Sequence, residues 1–364
     1  MQQDDWVALG MLWWKGGGRA AIARWLSDPA GAGGLAATPD VPFETVVAAI
    51  DPRLARAGRL DAARAAARAA LDMAQTRGCS VISWSDAGYP TALTAIPDPP
   101  PVLWIRGEPG VFRAPAVAIV GSRAGSPYAL EVGRELGSRL AERGVIVVSG
   151  LARGVDAAAH RGAVEVDGAT VGVLGSGVDI VYPPEHTGLA QALLHRGALV
   201  SEFPPGTPPR PAHFPLRNRL ISGLSRAVVV VEASERSGSL ITARLALEQG
   251  REVLAVPGNV LNGRNRGAHA LIKDGAKIVE DVDDILEEIR LPGAVERPGR
   301  RTEAEDPLLR CLSRGESYDL DDLIALTGLD GPRLLPRLLE LELAGRVNRR
   351  DGGRFVRTDG TVVG

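Results

Sequence analysis

Six short apolar runs in the middle of the chain constrain the fold most. Each run is rich in β-branched residues and apolar at consecutive positions, which is typical of strands buried on both faces of a parallel sheet. Segments of helical length separate the runs, so repeated strand–helix units are expected. We therefore predict an α/β core, an extended Rossmann-like parallel sheet, with strands at residues 116–120, 145–148, 170–174, 198–200, 227–231 and 252–256.

The segments on either side of this core follow other patterns. From Asp4 to about Gln75 apolar residues recur at helical spacing, interrupted by three glycines at residues 16–18. The glycines are either a helix-hairpin-helix turn that offers backbone N–H groups to phosphate or a plain structural turn. Near the C-terminus, three short helical stretches at 307–314, 320–326 and 332–343 precede a hairpin at 348–356. Three helices followed by a hairpin predict a winged helix.

Composition changes and proline- and glycine-rich passages suggest the domain boundaries. All six tryptophans lie between Trp6 and Trp104, and residues 291–301 are rich in proline, glycine and arginine. We predict a helical domain resembling a SAM or helix-hairpin-helix domain at 1–75 and a Rossmann-like domain at 76–290. A linker at 291–304 and a winged-helix-like domain at 305–364 complete the predicted organisation.

Charge and cysteine content exclude several classes of protein. Lys and Arg number 42 and Asp and Glu 44, so the net charge is −2 and any polyanion site must be a local cluster. Cys79 and Cys311 are isolated, which argues against a disulfide framework or a structural metal site. The first residues lack a signal-peptide pattern, and no apolar run is long enough to span a membrane. We expect a cytoplasmic protein without a metal ion.

Residues at the ends of the predicted strands suggest what the core binds. In parallel α/β sheets, ligands bind at the carboxyl ends of the strands. Glycines there allow close approach of the backbone, and hydroxyl and guanidinium groups donate hydrogen bonds. These donor-rich segments predict a phosphate-bearing ligand, and they lie at residues 121–126, 149–156, 175–177, 201–203, 214–219 and 237–242.

The familiar phosphate-binding motifs are missing. The sequence has no Gly-x-x-x-x-Gly-Lys-Ser/Thr string, which argues against an ATP-driven motor. The glycines at 175–177 lack the third glycine of a dinucleotide fingerprint, and the second strand ends in Ser-Gly rather than in a ribose-binding acid. We therefore expect no cofactor.

Candidate catalytic groups are few, and each has a structural interpretation. Asp156 and His160 are four residues apart on one predicted helix, where they form either an acid–base pair or a helix cap beside a packed histidine. Glu202 and Glu232 follow strands and are either reacting acids or partners that hold the arginines in place. We expect a protein that does no chemistry of its own.

The ordered motifs of the core are similar to those of the DprA/Smf family, the DNA-processing proteins of bacterial natural transformation. The resemblance covers roughly residues 76 to 290. The matching strings stand at Tyr89-Pro90, 100–107, 118–123, 149–156, Tyr182-Pro183, Ser201-Glu202, 214–219, 237–242 and 256–258.

This resemblance implies a protein that binds and protects single-stranded DNA, helps to load the RecA recombinase, and forms homodimers through its core. By position, the resemblance assigns DNA contact to the motif Gly121, Ser122 and Arg123. It also assigns a second loop, with a basic residue in front of it, and a group of polar residues lining the same pocket. These further positions are Arg236, Ser237, Gly238, Ser239, Arg153, Arg217, Asn218 and Arg219.

Two other functions remain as alternatives. LOG-type nucleoside-phosphate hydrolases have a similar layout, but Ala243 and Arg244 stand where their acid pair is expected. A small-nucleotide sensor or a pure scaffold is the second alternative. Aromatic residues near the pocket, Tyr182, Phe203 and Phe214, either stack on bases or pack in the core.

The charge pattern of the winged-helix-like domain leaves its partner open. Its third helix carries Arg333 and Arg337 but also Glu340 and Glu342, whereas a DNA-reading helix is usually more basic. Contact with DNA, contact with protein, and a solvated charged surface are the three interpretations. The predicted wing is better placed to touch phosphate, since it carries Arg349, Arg350, Arg354 and Arg357.

Overall fold

A nine-stranded sheet lies at the centre of the protein. The structure, a computed structural model, describes residues 1–14, 17–28, 41–291, 306–313, 316–350 and 352–357. Along the sheet the strands follow the order β1-β2-β6-β5-β4-β3-β7-β8-β9. Their bounds are β1 Ser80–Ser83, β2 Val102–Gly107, β3 Ala116–Val120, β4 Ile146–Ser149, β5 Thr170–Val173, β6 Ala198–Ser201, β7 Ala227–Val230, β8 Glu252–Ala255 and β9 Lys277–Ile278.

The six predicted strands are β3 to β8, and all of them pair in parallel. Every residue of β3 through β7 is buried, which explains why the consecutive apolar pattern identified them. Three strands of this sheet were missed. The pair β1 and β2 extends one edge, with β2 antiparallel to both β1 and β6, and the two-residue β9 extends the other edge.

Helices cover both faces of the sheet. On one face, α6 (Pro127–Glu142), α7 (Val155–Glu165) and α12 (Val282–Glu288) pack against side chains such as Ile119 and Val229. On the other face lie α5 (Thr91–Thr94), α9 (His213–Leu224), α10 (Ser239–Glu248) and α11 (Arg266–Lys273). Helix α8 (Thr187–Leu193) packs beside β6 through Leu193 and Leu199. The core thus has the α/β architecture that the sequence predicts, with helices on both faces of the sheet.

Within the described residues, four helices precede the sheet: α1 (Gln3–Trp14), α2 (Arg19–Ser27), α3 (Phe43–Ile50) and α4 (Ala57–Thr76). Their apolar cluster includes Val102 and Trp104 of β2, so they pack directly on one end of the sheet. At the glycine turn, the N–H of Gly18 donates to the carbonyl of Leu12 at 3.2 Å, and a β-carbon there would lie 2.8 Å from Cδ1 of Leu54. Because this amide is already bonded, a plain structural turn is favoured over a phosphate-binding hairpin.

The C-terminal part forms the predicted winged helix. Its elements are α13 (Pro307–Arg310), β10 (Ser317–Tyr318), α14 (Leu320–Thr327), α15 (Gly331–Leu343), β11 (Val347–Arg350) and β12 (Arg354–Arg357). The three strands pair in the order β10-β12-β11, and the two-residue β10 was missed. The predicted linker at 291–304 lies, apart from Leu291, outside the described residues, so the domain boundaries stay predictions.

Across the described ranges, no helix is both long enough and apolar enough to cross a membrane.

Candidate nucleic-acid interface

The winding of the sheet reverses direction beside β3. Strands β4, β5 and β6 lie on one side of β3, and β7, β8 and β9 lie on the other. Chain crossings of this kind open a crevice at the carboxyl ends of the two diverging strands. A cavity of about 620 Å³ lies there, which we call the strand-edge crevice. It is lined by the segments that follow β3, β4 and β7 and by the first turns of α9 and α10.

Most of the residues that the sequence predicts as DNA contacts line the strand-edge crevice. The glycine-rich loop after β3 supplies one wall, and the first turn of α10 supplies another. A β-carbon on Gly121 would lie 2.7 Å from Cγ2 of Val155, so the loop reaches this position only with glycine there. The predicted residues that line the crevice are Gly121, Ser122, Arg123, Arg217, Asn218, Ser237, Gly238 and Ser239.

The α10 wall offers several hydrogen-bond donors. Ser237 Oγ lies 2.7 Å from Ser239 Oγ and accepts the N–H of Ser239 at 3.4 Å. Helix α10 begins at Ser239, so the positive end of its dipole lies at the crevice. This wall is suited to an anionic oxygen.

An aromatic ledge formed by Tyr182 and Phe214 lies at the crevice beside a cation. The two ring centres are 5.6 Å apart and the planes are inclined by 39°. The guanidinium carbon of Arg123 lies 5.6 Å from the ring centre of Phe214, and Arg123 is exposed. Tyr182 is 42% exposed and Phe214 is half-buried, whereas Phe203 is buried and stacks on His213. Two of the three aromatics singled out from the sequence therefore face the crevice, and the third packs in the core.

Arg217 and Asp156 form the floor of the crevice. Arg217 is 3% exposed, and its Nη1 donates to the carbonyls of Gly150, at 2.9 Å, and Val173. Burial lowers the pKa of Arg217 to about 10, although the neighbouring Asp156 opposes that shift. A β-carbon on Gly150 would lie 2.6 Å from Nη2 of Arg217 and 2.7 Å from Oδ2 of Asp156, so only glycine fits between them. Arg217 is thus a fixed charge rather than a mobile arm.

Arg219 corrects one prediction, because it lies outside the strand-edge crevice. It is 3% exposed and donates from Nη2 to Glu202 at 2.6 Å and from Nε to Asp98 at 2.8 Å. The indole N–H of Trp13 donates to the same Glu202 oxygen at 3.0 Å. Arg217 and Arg219 are two positions apart on α9, about 200° around the helix, so they point in nearly opposite directions. Arg219 ties the core to α1 instead.

Arg153 and Arg236 also lie outside the lining of the strand-edge crevice. Arg153 is exposed and forms an ion pair with Glu185, with 2.5 Å between Nε and Oε1. Arg236 is exposed in the turn that leads into Ser237. Of these two arginines, Arg236 precedes a lining residue directly and belongs to the rim, whereas Arg153 is held by a carboxylate.

Asp156 and His160 do not form the acid–base pair considered from their spacing. Oδ2 of Asp156 accepts the N–H groups of Gly150, at 3.1 Å, and Ala152, at 3.4 Å, so it orders the loop before α7 rather than capping the helix. His160 is fully buried, its Nδ1 lies 2.7 Å from Thr170 Oγ1, and burial lowers its pKa to about 3. Burial also raises the pKa of Asp156, and Arg217 opposes that shift. Both groups have structural roles.

The two strand-end glutamates are held by neighbouring donors. Glu202 accepts from Arg219 and Trp13, as described above. Glu232 accepts the N–H of Ser126 at 3.2 Å and its hydroxyl at 2.6 Å, and Arg264 lies 3.8 Å away. These contacts favour the interpretation of both acids as structural partners. Among the described residues, no cluster of three or more histidine, cysteine or acidic side chains is arranged to hold a metal ion.

Some lining residues were not assigned from the sequence. The crevice is completed by small and apolar side chains such as Ala152, Ile221 and Ile241, which carry no chemical signature. Arg264, from the segment after β8, donates from Nη1 to the carbonyl of Ala124 at 2.9 Å and steadies the β3 loop. In the sequence, only its position after a predicted strand pointed to a place near the crevice.

Taken together, the fold and site define a Rossmann-like protein with a donor-rich, partly aromatic crevice at the strand switch point. Two family models match the chain: DNA recombination-mediator protein A over residues 80–290 and the DprA winged helix domain over residues 282–353. The first match alone spans more than half of the chain. The chain therefore belongs to the DprA family, which is also called Smf, and so to the DNA-processing proteins.

Individual relatives agree with this assignment. Protein Smf of Escherichia coli is 45% identical over 276 residues, which are 73% of this chain and 74% of the relative. DNA processing protein DprA of Bacillus subtilis is 42% identical over 214 residues, 58% of this chain and 72% of the relative. The X-ray structure of DprA from Streptococcus pneumoniae matches with a TM-score of 0.67 and 33% identity, covering 79% of this chain and 99% of that one.

A second solved structure concerns DprA from Helicobacter pylori and its single-stranded DNA binding mode. It matches with a TM-score of 0.52 and 29% identity, covering 57% of this chain and 94% of that chain. That structure therefore shares the fold of more than half of this chain.

Proposed function

We propose that this protein binds and protects single-stranded DNA in the strand-edge crevice, and helps to load RecA onto it during natural transformation or homologous recombination. The observation that carries the proposal is the exposed Arg123 above the ring of Phe214, 5.6 Å from its centre. A free cation beside an accessible aromatic face suits one phosphate and one unpaired base. The solved structure of DprA from Helicobacter pylori, which concerns its single-stranded DNA binding mode, supports the choice of ligand.

The crevice favours an unpaired strand over a duplex for a physical reason. Stacking on Phe214 or Tyr182 requires a base whose face is free, and in a duplex both faces are covered by neighbouring base pairs. The donors contributed by the β3 loop and α10 contact phosphate without reading sequence. Binding should therefore tolerate any base and weaken as salt is raised, because phosphate contacts release counterions.

The proposed role is binding without catalysis. The acid at the crevice, Asp156, is buried and accepts two backbone N–H groups, which leaves it poorly placed to act on a ligand. At the α10 positions where the acid pair of LOG-type hydrolases is expected, Ala243 is buried and Arg244 is exposed. We place this activity in the cytoplasm, where RecA works on single strands.

We also propose that the protein acts as a homodimer joined through its core. Strand β9 lies at one edge of the sheet, and its Ile278 is 48% exposed. An edge strand with an exposed apolar side chain is a surface that pairing with a second copy would cover. Light scattering should give twice the mass of one chain. The substitution Ile278→Glu should lower the measured mass toward that of the monomer. A dilution series tests whether the dimer dissociates reversibly.

The experiment that tests the DNA-binding proposal is a fluorescence-anisotropy titration with labelled oligo-dT, a matched duplex and a mononucleotide. We expect tight binding of the single strand, which strengthens with length and weakens with salt. Binding of the mononucleotide as tightly as the oligomer would support a small-nucleotide sensor instead. Release of free base from a nucleoside monophosphate would support a hydrolase.

A RecA-loading assay follows from the second half of the proposal. RecA filament growth on strands coated with single-strand-binding protein should accelerate when this protein is added. No acceleration by a preparation that binds the strand normally would limit the function to binding and protection.

A further inference from the structure

A second cavity, of about 830 Å³, lies between the N-terminal helices and the core. Helices α1 and α4 form one side of it, and the core segment 204–216 forms the other. The family match to the core begins at residue 80, so half of this cavity is built by residues outside that match. We call it the helix–core groove, and its lining includes Trp14, Ala66, Ala69, Met73, Arg210 and Leu216.

The helix–core groove and the strand-edge crevice share a wall. Within the segment 210–216, Phe214 and Pro215 line the strand-edge crevice, whereas His213 and Leu216 line the helix–core groove. The two cavities are therefore separated only by the start of α9 and the residues before it. A bound strand that leaves the strand-edge crevice over this segment enters the helix–core groove directly.

The chemistry of the groove suits a single strand. Its walls are mostly apolar, with Trp14 and Met73 both half-buried. The charged residues among the described lining are Arg19 and Arg210, and no described lining residue is acidic. Arg210 is exposed, and Arg19 forms an ion pair with Asp98 at 2.8 Å. Apolar and aromatic walls beside cations are the combination that holds unpaired bases and their phosphates.

We propose that the helix–core groove holds the next nucleotides of the strand whose first nucleotides occupy the strand-edge crevice. This inference rests on the proposed function and extends it, since it makes the N-terminal helices part of the binding site. A longer oligonucleotide then binds more tightly because it makes contacts in the groove. The larger number of positions at which it can occupy the crevice is not the whole reason.

Ala69 allows the groove to be tested without disturbing the core. It lies on α4, is exposed and lines the groove, so a longer side chain there projects into the groove. Ala69→Glu adds a negative charge and Ala69→Arg adds a positive one. Ala65 lies about one turn earlier on α4, is also exposed and is not part of the groove lining, so Ala65→Glu and Ala65→Arg are controls that add the same charges outside the groove.

The measurement is the affinity of each variant for labelled oligo-dT from about 4 to 16 nucleotides. We expect Ala69→Glu to bind the shortest oligomers normally and the longest oligomers at least about fivefold more weakly. A fivefold loss of affinity corresponds to the smallest effect expected when one base loses its stacking contact. Ala69→Arg should bind the longest oligomers more tightly and steepen the slope of log affinity against log salt by about 0.7. Both Ala65 variants should match the unmodified protein at every length.

Several outcomes would overturn the inference. If both Ala69 variants match the Ala65 controls at every length while the unmodified protein binds single strands, the proposed function survives and the groove is not on the DNA path. If Ala69→Glu leaves DNA binding intact but abolishes RecA loading, the groove holds protein rather than DNA. If the unmodified protein binds no single strand, both the proposed function and this inference fail.

Discussion

The guanidinium carbon of Arg123 lies 5.6 Å from the ring centre of Phe214, at the point where the winding of the sheet reverses. The loop after β3 supplies Arg123, and the first turn of α9 supplies Phe214. Neighbouring Tyr182 extends the aromatic surface. A cation and an aromatic face therefore reach one ligand position from two separate elements.

Replacing Arg123 with alanine should weaken single-strand binding by about 1–3 kcal/mol, the scale of one charge-assisted hydrogen bond. Because Arg123 is exposed, the thermal unfolding midpoint should hardly change. Anisotropy titrations measure the loss. Arg139→Ala is the control, since Arg139 is exposed near the far end of α6 and pairs with Glu135. Equal affinities for the two variants would remove Arg123 from the site.

Replacing Phe214 with alanine should cost a similar amount for a different reason. The substitution removes the face on which a base stacks, worth about 1–3 kcal/mol per base. This loss should depend little on salt, whereas the loss caused by Arg123→Ala should shrink as salt rises. Phe214→Tyr keeps the ring and should retain most of the affinity. A tyrosine variant as weak as the alanine variant would argue against stacking.

Arg219→Ala should destabilise the fold rather than weaken DNA contact directly. The substitution leaves Glu202 buried beside Trp13 without its 2.6 Å partner, and removal of one partner of a buried ion pair typically costs about 3–5 kcal/mol. Urea unfolding at neutral pH measures this loss. At low temperature, where the variant stays folded, its single-strand affinity should equal that of the unmodified protein. A selective loss of affinity in a stable variant would return Arg219 to the binding site.

The different roles of Arg217 and Arg219 show which features of the site can be predicted from the sequence and which cannot. Strands β3 to β8 were predictable because burial on both faces leaves an unbroken apolar run, and the position of the site followed from the strand ends. Which arginine of the motif faces the crevice depends on the rotation of α9 about its axis, which only packing against the sheet decides. Strands β1 and β2 were missed because they flank a proline-rich passage and return antiparallel.

The pH dependence of stability should carry a contribution from His160. Burial lowers its pKa to about 3, from 6.5 in the unfolded chain. As the pH falls below 6.5, the histidine of the unfolded chain binds a proton that the folded chain does not bind. The free energy of unfolding therefore decreases progressively from pH 6.5 toward pH 3. The loss from this residue should reach about 2 kcal/mol at pH 5.

Comparison with His160→Asn isolates that contribution. The amide of asparagine retains a donor for Thr170 but does not titrate, so the free energy of unfolding of the variant should fall less steeply between pH 7 and pH 5. Urea unfolding at a series of pH values gives both slopes. Parallel slopes would mean that His160 is not the group responsible.

The central claim is that a single strand lies in the strand-edge crevice, and photocrosslinking tests it most directly. Oligo-dT containing a photoreactive thymidine analogue is bound to the full chain, and the complex is irradiated. Mass spectrometry then identifies the crosslinked residues. We predict crosslinks at Phe214 and Tyr182, abolished by an excess of unlabelled single strand but not by an equal amount of duplex. Crosslinks confined to the winged helix, with none on the residues lining the crevice, would contradict the account.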